Sequence, residues 1–126
     1  TDHCLGFVIM PDHVHALLWL SGSGRLSDFL KVWKGRSSHI LKQRLREWLP
    51  RYWEMMEPNT PVWQRKFYDF NVTTRAKADE KLTYMHQNPV RAGLTASPLD
   101  WKHTSLRAYV DGGSVGIPIT PWDALT

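Results

Sequence analysis

Two short apolar runs set back to back constrain this chain more than anything else in it. Cys4 to Met10 reads CLGFVIM and is rich in β-favouring residues. Pro11-Asp12 interrupts it as a turn would, and HVHALLWL, from His13 to Leu20, follows at once. The second run opens with strict alternation and ends as a continuous apolar stretch, the pattern of a strand buried increasingly on both faces. Adjacent strands joined by a tight turn predict an antiparallel hairpin. Ser21-Gly22-Ser23-Gly24 then reads as a flexible connector.

From Ser27 to about Leu49 the apolar positions Leu30, Trp33, Ile40, Leu41, Leu45 and Trp48 recur mostly at spacings of three and four, which predicts an amphipathic helix. Ser27 is the expected cap and Pro50 the expected stop; Gly35 with Ser37-Ser38 predicts a bend or break in the middle. Trp33 and Trp48 share the apolar stripe and are expected to pack in a core. Val62 to Val72 reads as one strand, or two broken by a charged pair. Thr74 is a good cap for a second helix running to about Asn88, with Ala78, Leu82 and Met85 on its inner face and Pro89 ending it. The expected fold class is therefore α/β (α+β). Residues 1–126 are read as a single domain, and 111–126 as an irregular C-terminal tail.

Composition narrows the function classes. With 42% apolar and 22% charged residues in 126, the chain is expected to bury one core, and wholesale disorder or a fibrous coiled coil is excluded. The longest apolar stretch, Ala16 to Leu20, is far too short to cross a bilayer, so no membrane partner is expected. Cys4 is alone and no secretory segment opens the chain, which predicts a reducing, cytoplasmic setting. The formal charge is +4, and its placement matters more than its size. Between Gly24 and Tyr52 eight Lys or Arg face only Asp28 and Glu47, so the basic excess concentrates there and points to a polyanion. Lys31, Lys34, Arg36 and Arg44 are the expected phosphate contacts. Specificity would come from bases stacked on Trp63 or from edges read by Arg65, Lys66 and Arg91.

Three residue groups could do chemistry. His13 and His15 are two apart on a strand, so both imidazoles leave the same face within reach of one ion. Tyr84 and Asn88 are four apart on a helix and share a face that is not the face of Leu82 and Met85. A tyrosine with an ordinary pKa near ~10 is a poor nucleophile at neutral pH and needs a polarised electrophile or a nearby base. A divalent ion held by two imidazoles and one amide would polarise a phosphate oxygen while keeping the site positive enough for DNA. Two other readings stay open: a nucleic-acid-binding module that does not cleave, and a small zinc hydrolase using His13, His15 and a third histidine.

These blocks also carry a resemblance. Met10-Pro11-Asp12-His13-Val14-His15 before an apolar strand, Trp63-Gln64 with Phe67-Tyr68-Asp69, and Tyr84-Met85-His86-Gln87-Asn88-Pro89-Val90 with Gly93-Leu94 resemble the REP-associated tyrosine transposases, HUH single-strand DNA transposases of small bacterial insertion sequences. The likeness runs from about residue 5 to residue 110, in the family's order. It implies a ferredoxin-like antiparallel sheet with helices on one face, here lacking the family's N-terminal strand and helix. It implies cleavage of single-stranded DNA beside a hairpin, a REP-like palindrome, through a 5′-phosphotyrosine intermediate. By motif, Tyr84 is the nucleophile, His13, His15 and Asn88 are the metal ligands, and the ion is Mg2+ or Mn2+. Whether Tyr84 acts within its own chain or across a homodimer stays open.

Overall fold

In the computed structural model, which describes residues 1–126, the hairpin forms as its sequence pattern requires. Strands β1 (His3–Ile9) and β2 (Val14–Trp19) pair antiparallel, with Val8 opposite His15 and Ile9 opposite Val14. The turn closes through the Met10 amide, which donates to the His13 carbonyl at 2.8 Å. A register shift between Cys4 and Gly6 leaves Leu5 as an extra residue, a bulge that lets Leu5 and Gly6 be buried in succession.

The chain divides into two compact units. The first comprises Thr1–Ser21 and Asn71–Thr126. Its helix α3 (Arg75–Arg91) starts at Thr74, whose side chain accepts from the Lys77 amide at 3.2 Å, as expected of a cap. Ala78, Leu82, Met85, His86 and Pro89 form its buried stripe. Leu82 and Met85 meet Val8 and Met10 in the core, with Leu17 and Trp101 packed at its margin. Strand and helix approach closely at Gly6, since a Cβ there would lie 2.2 Å from Leu82 Cδ2.

The outer edge of β1 is covered by the C-terminal third of the chain. The Ile9 amide donates to the His103 carbonyl at 2.8 Å, the Ser105 amide to the Phe7 carbonyl at 3.0 Å, and the Thr120 amide to the Cys4 carbonyl at 2.9 Å. A short helix, α4 (Leu106–Val110), follows the first of these contacts. Beyond residue 110 the backbone is irregular apart from a 3₁₀ turn at Trp122–Ala124, yet Trp122 meets Trp19 edge-on and Asp123 accepts from Arg75 at 2.6 Å.

The second unit, Gly22–Phe70, contains α1 (Arg25–Trp48) and α2 (Pro50–Met55). Four local expectations change. Helix α1 is capped by Gly24 in a left-handed conformation rather than by Ser27, and it runs unbroken through Gly35. Ser37 donates back to the Trp33 carbonyl at 2.7 Å, so its hydroxyl is satisfied inside the helix instead of breaking it. Trp48 is 69% exposed and not core, while Trp33 is half-buried against Trp63. Residues 62–72 form no strand. Lys34 bonds the Gln64 carbonyl at 2.8 Å, and the Trp63 indole donates to Ser37 Oγ at 2.8 Å, so side chains of α1 hold this stretch where a neighbouring strand would have. In the first unit, α3 passes through Pro89 to Arg91 rather than stopping at Asn88.

The expected mixing of helix and strand is thus observed as a two-stranded antiparallel sheet and four α-helices. No helix is long and apolar enough to cross a membrane.

Candidate functional site

The hairpin turn determines where the two histidines point. His13 ends the turn and His15 follows on β2, and their rings meet edge to face with centroids 4.9 Å apart. His13 Nδ1 lies 2.6 Å from Asp12 Oδ1. That hydrogen bond holds the Asp12 carboxyl below its ordinary range, so the carboxylate accepts and the imidazole donates. His13 is left with Nε2, the nitrogen that can take a metal when the ring is neutral. His15 is half-buried, and burial first, then the charges of His13 and Arg91, lower its pKa and favour the neutral, ligating form.

Helix α3 brings the phenol to this pair. Tyr84 lies off the buried Leu82 and Met85 stripe, is 50% exposed, and meets the His15 ring edge-on at 6.1 Å between centroids. The structure therefore brings together His13, His15 and Tyr84 in a chain of ring contacts. Asn88 lies one helical turn beyond Tyr84 and is half-buried. No group of three or more His, Cys, Asp or Glu is gathered to hold an ion. Two neighbouring imidazoles, one with its second nitrogen braced by a carboxylate, are a donor set that fits a divalent ion.

The expected DNA contacts divide differently. Lys31, Arg36, Arg65 and Lys66 are exposed in the second unit. Lys34 is engaged by the Gln64 carbonyl and lies 5.7 Å from the Phe67 ring centroid. Trp63 is tilted against Trp33 with centroids 4.8 Å apart, and Arg44 stacks over Trp48 at 5.0 Å. Arg91, expected among the base-reading residues, belongs to the first unit and lies over the Tyr84 ring at 3.8 Å.

Sequence reasoning missed two parts of this arrangement. Asp12 had a signal, a carboxylate directly before the first histidine. The contact between buried His86 and Ser105 had none, because 19 residues separate them. Ser105 Oγ lies 2.8 Å from His86 Nε2 and accepts from the Phe7 amide at 3.0 Å, joining α3 to β1 behind the site.

A mixed α+β domain thus carries an accessible phenol beside two imidazoles, one at the end of the hairpin turn and one on β2. A family model described as Transposase IS200 like matches residues 3–88, from the start of β1 through Asn88, and the chain belongs to that family. A protein of Haemophilus influenzae (strain ATCC 51907 / DSM 11121 / KW20 / Rd) named as a candidate REP-associated tyrosine transposase is 26% identical over 108 residues, covering 81% of this chain and 57% of that one. The chain thus spans little more than half the length of that relative. No solved structure matches it.

Proposed function

We propose that this chain carries the nicking and rejoining centre of a single-strand DNA transposase, with Tyr84 as nucleophile. The observation that carries the reading is the edge-on contact between Tyr84 and His15, itself in contact with His13. In the proposed step the Tyr84 oxygen attacks the phosphorus of a phosphodiester. The bond to the 3′ oxygen breaks, and the 5′ phosphoryl group is left on tyrosine. The phenolic proton passes to solvent, and the leaving 3′ oxygen takes up a proton. A phosphodiester has been exchanged for a phosphotyrosyl ester of similar energy, so attack by another 3′-hydroxyl rejoins strands without ATP.

Asp12 fixes the ring of His13, and the hairpin register fixes His15 beside it. His13, His15 and Asn88 would hold Mg2+ or Mn2+, which would supply Lewis-acid polarisation of a phosphate oxygen. Exposed Lys31, Arg36, Arg65 and Lys66 would supply salt-sensitive affinity for the DNA backbone. The relative's REP-associated name supports a REP-like hairpin as the DNA partner.

The test is a labelled single-stranded hairpin incubated with the protein, with manganese or with chelator, and resolved under denaturing conditions. A metal-dependent covalent adduct that disappears in Tyr84→Phe, while hairpin binding stays within about twofold, is the expected result. Salt-sensitive binding with no adduct would replace this reading with that of a hairpin-binding module. Zinc-dependent hydrolysis surviving Tyr84→Phe would replace it with a metal hydrolase.

A further inference from the structure

Tyr84, Asn88 and Arg91 are spaced four and three apart, so an uninterrupted α3 places all three on one stripe. Pro89 lies inside that helix and has no amide hydrogen for the Met85 carbonyl four residues back. The Arg91 guanidinium donates from Nη2 to the carbonyl one residue earlier, that of Tyr84, at 2.6 Å. From that anchor its central carbon lies 3.8 Å from the centroid of the Tyr84 ring, a stacking distance. The other edge of the environment is His15, whose ring meets the phenol at 87°.

We infer that Arg91 is a positioning residue for Tyr84: its guanidinium, fixed to the backbone of the same helix, holds the phenol ring in the orientation that presents it to the histidine pair. The inference rests on the reading of Tyr84 as nucleophile and extends it. A half-exposed tyrosine on a helix surface ordinarily samples more than one rotamer. Here one face of the ring is covered by a planar cation that cannot move away without losing its carbonyl bond. Lysine cannot substitute for this, because an ammonium on a flexible stem lacks a planar face that stacks while its other hydrogens bond the backbone. The arrangement also sets a permanent positive charge beside the ring that would carry the phosphoryl group.

The experiment compares the parent with Arg91→Ala and Arg91→Lys by two readouts. The first is ring resonances of 13C-labelled tyrosine in protein free of metal and DNA, with the four tyrosines assigned by Tyr→Phe substitution. The second is single-turnover adduct formation together with hairpin affinity across a salt series. Positioning predicts that the Tyr84 signals shift and broaden in both variants, while Tyr52 and Tyr68 are unmoved. It predicts an adduct rate lower by roughly 10- to 100-fold, the scale expected when a reacting group loses its alignment. Hairpin affinity should stay within about threefold, with Arg91→Lys failing to restore the rate. Unchanged Tyr84 resonances in Arg91→Ala would overturn the inference. So would loss of affinity with a salt slope lower by about one unit and full recovery in Arg91→Lys, which would mark Arg91 as a plain phosphate contact. If the parent forms no adduct, the nucleophile reading fails on its own, and the ring resonances still decide whether Arg91 orients Tyr84.

Discussion

Replacing Ser105 with alanine removes one oxygen and tests whether α3 is fixed to the hairpin by a buried polar contact. Ser105 is completely buried, and its hydroxyl serves two groups, the Phe7 amide at 3.0 Å and His86 Nε2 at 2.8 Å. Burial lowers the pKa of His86, so its ring is neutral near pH 7 and can accept from the hydroxyl. Ser105→Ala leaves a donor and an acceptor unpaired, each costing about 1–3 kcal/mol, and partial relaxation puts the expected loss at roughly 2–4 kcal/mol. With a urea dependence of ~2 kcal/mol/M for a chain this size, the unfolding midpoint should fall by about 1–2 M with its slope unchanged. Tryptophan fluorescence in a urea titration measures this directly. Because removing both partners of a buried pair costs far less than removing one, Ser105→Ala combined with His86→Leu should be less destabilised than the sum of the single changes. A Ser105→Ala midpoint equal to the parent's, or strict additivity in the double variant, would refute the reasoning. The single variant should also form adduct more slowly, since Tyr84 lies two residues from His86 on the same helix.

Gly6→Ala should cost about 1–3 kcal/mol in the same titration, because the new methyl would lie 2.2 Å from Leu82 Cδ2 and 3.1 Å from Ser105 Oγ, both in packed surroundings. Acid should destabilise the fold in a defined window. The His86 pKa is lowered from 6.5 on folding, so the unfolded chain takes up the proton first; stability is full above about pH 6.5 and declines as pH falls toward the folded value. Urea midpoints at pH 7.5, 6.5 and 5.5 should show this, and His86→Leu should flatten the decline. In the second unit, Lys34→Met should speed protease cleavage between residues 64 and 70 by freeing the Gln64 carbonyl. Lys31→Ala should leave cleavage unchanged and reduce the salt slope of hairpin binding by about one unit.

What the sequence discloses depends on how local the determinant is. The hairpin was legible because Pro11-Asp12 and the alternation of His13 to Ala16 lie within one turn of what they specify. Tyr84 with Asn88 was legible through helical spacing. Residues 62–70 carry the aromatic and β-branched content of a strand, but that content reports a fit to a pleated, half-buried surface. Here Lys34 and Ser37 of a helix supply the partners instead. Gly35 suggested a break at a cost of only about 1 kcal/mol, which a 24-residue helix absorbs. Reading Pro89 as a terminator left Arg91 as a base-reading residue and hid its relation to Tyr84, since the stripe of Tyr84, Asn88 and Arg91 exists only if the helix continues. The contacts of residues 103–105 and 120 with β1 span about a hundred positions or more, and nothing in either segment alone announces them.

Those same contacts have a bearing on assembly. A bare strand flank is a template on which another polypeptide can zip itself, but alongside Cys4, Phe7 and Ile9 that role is already filled by the chain's own later residues. Lateral growth of the sheet is therefore one-sided. Any neighbouring segment that joins it by backbone pairing must add alongside β2, the strand that bears His15.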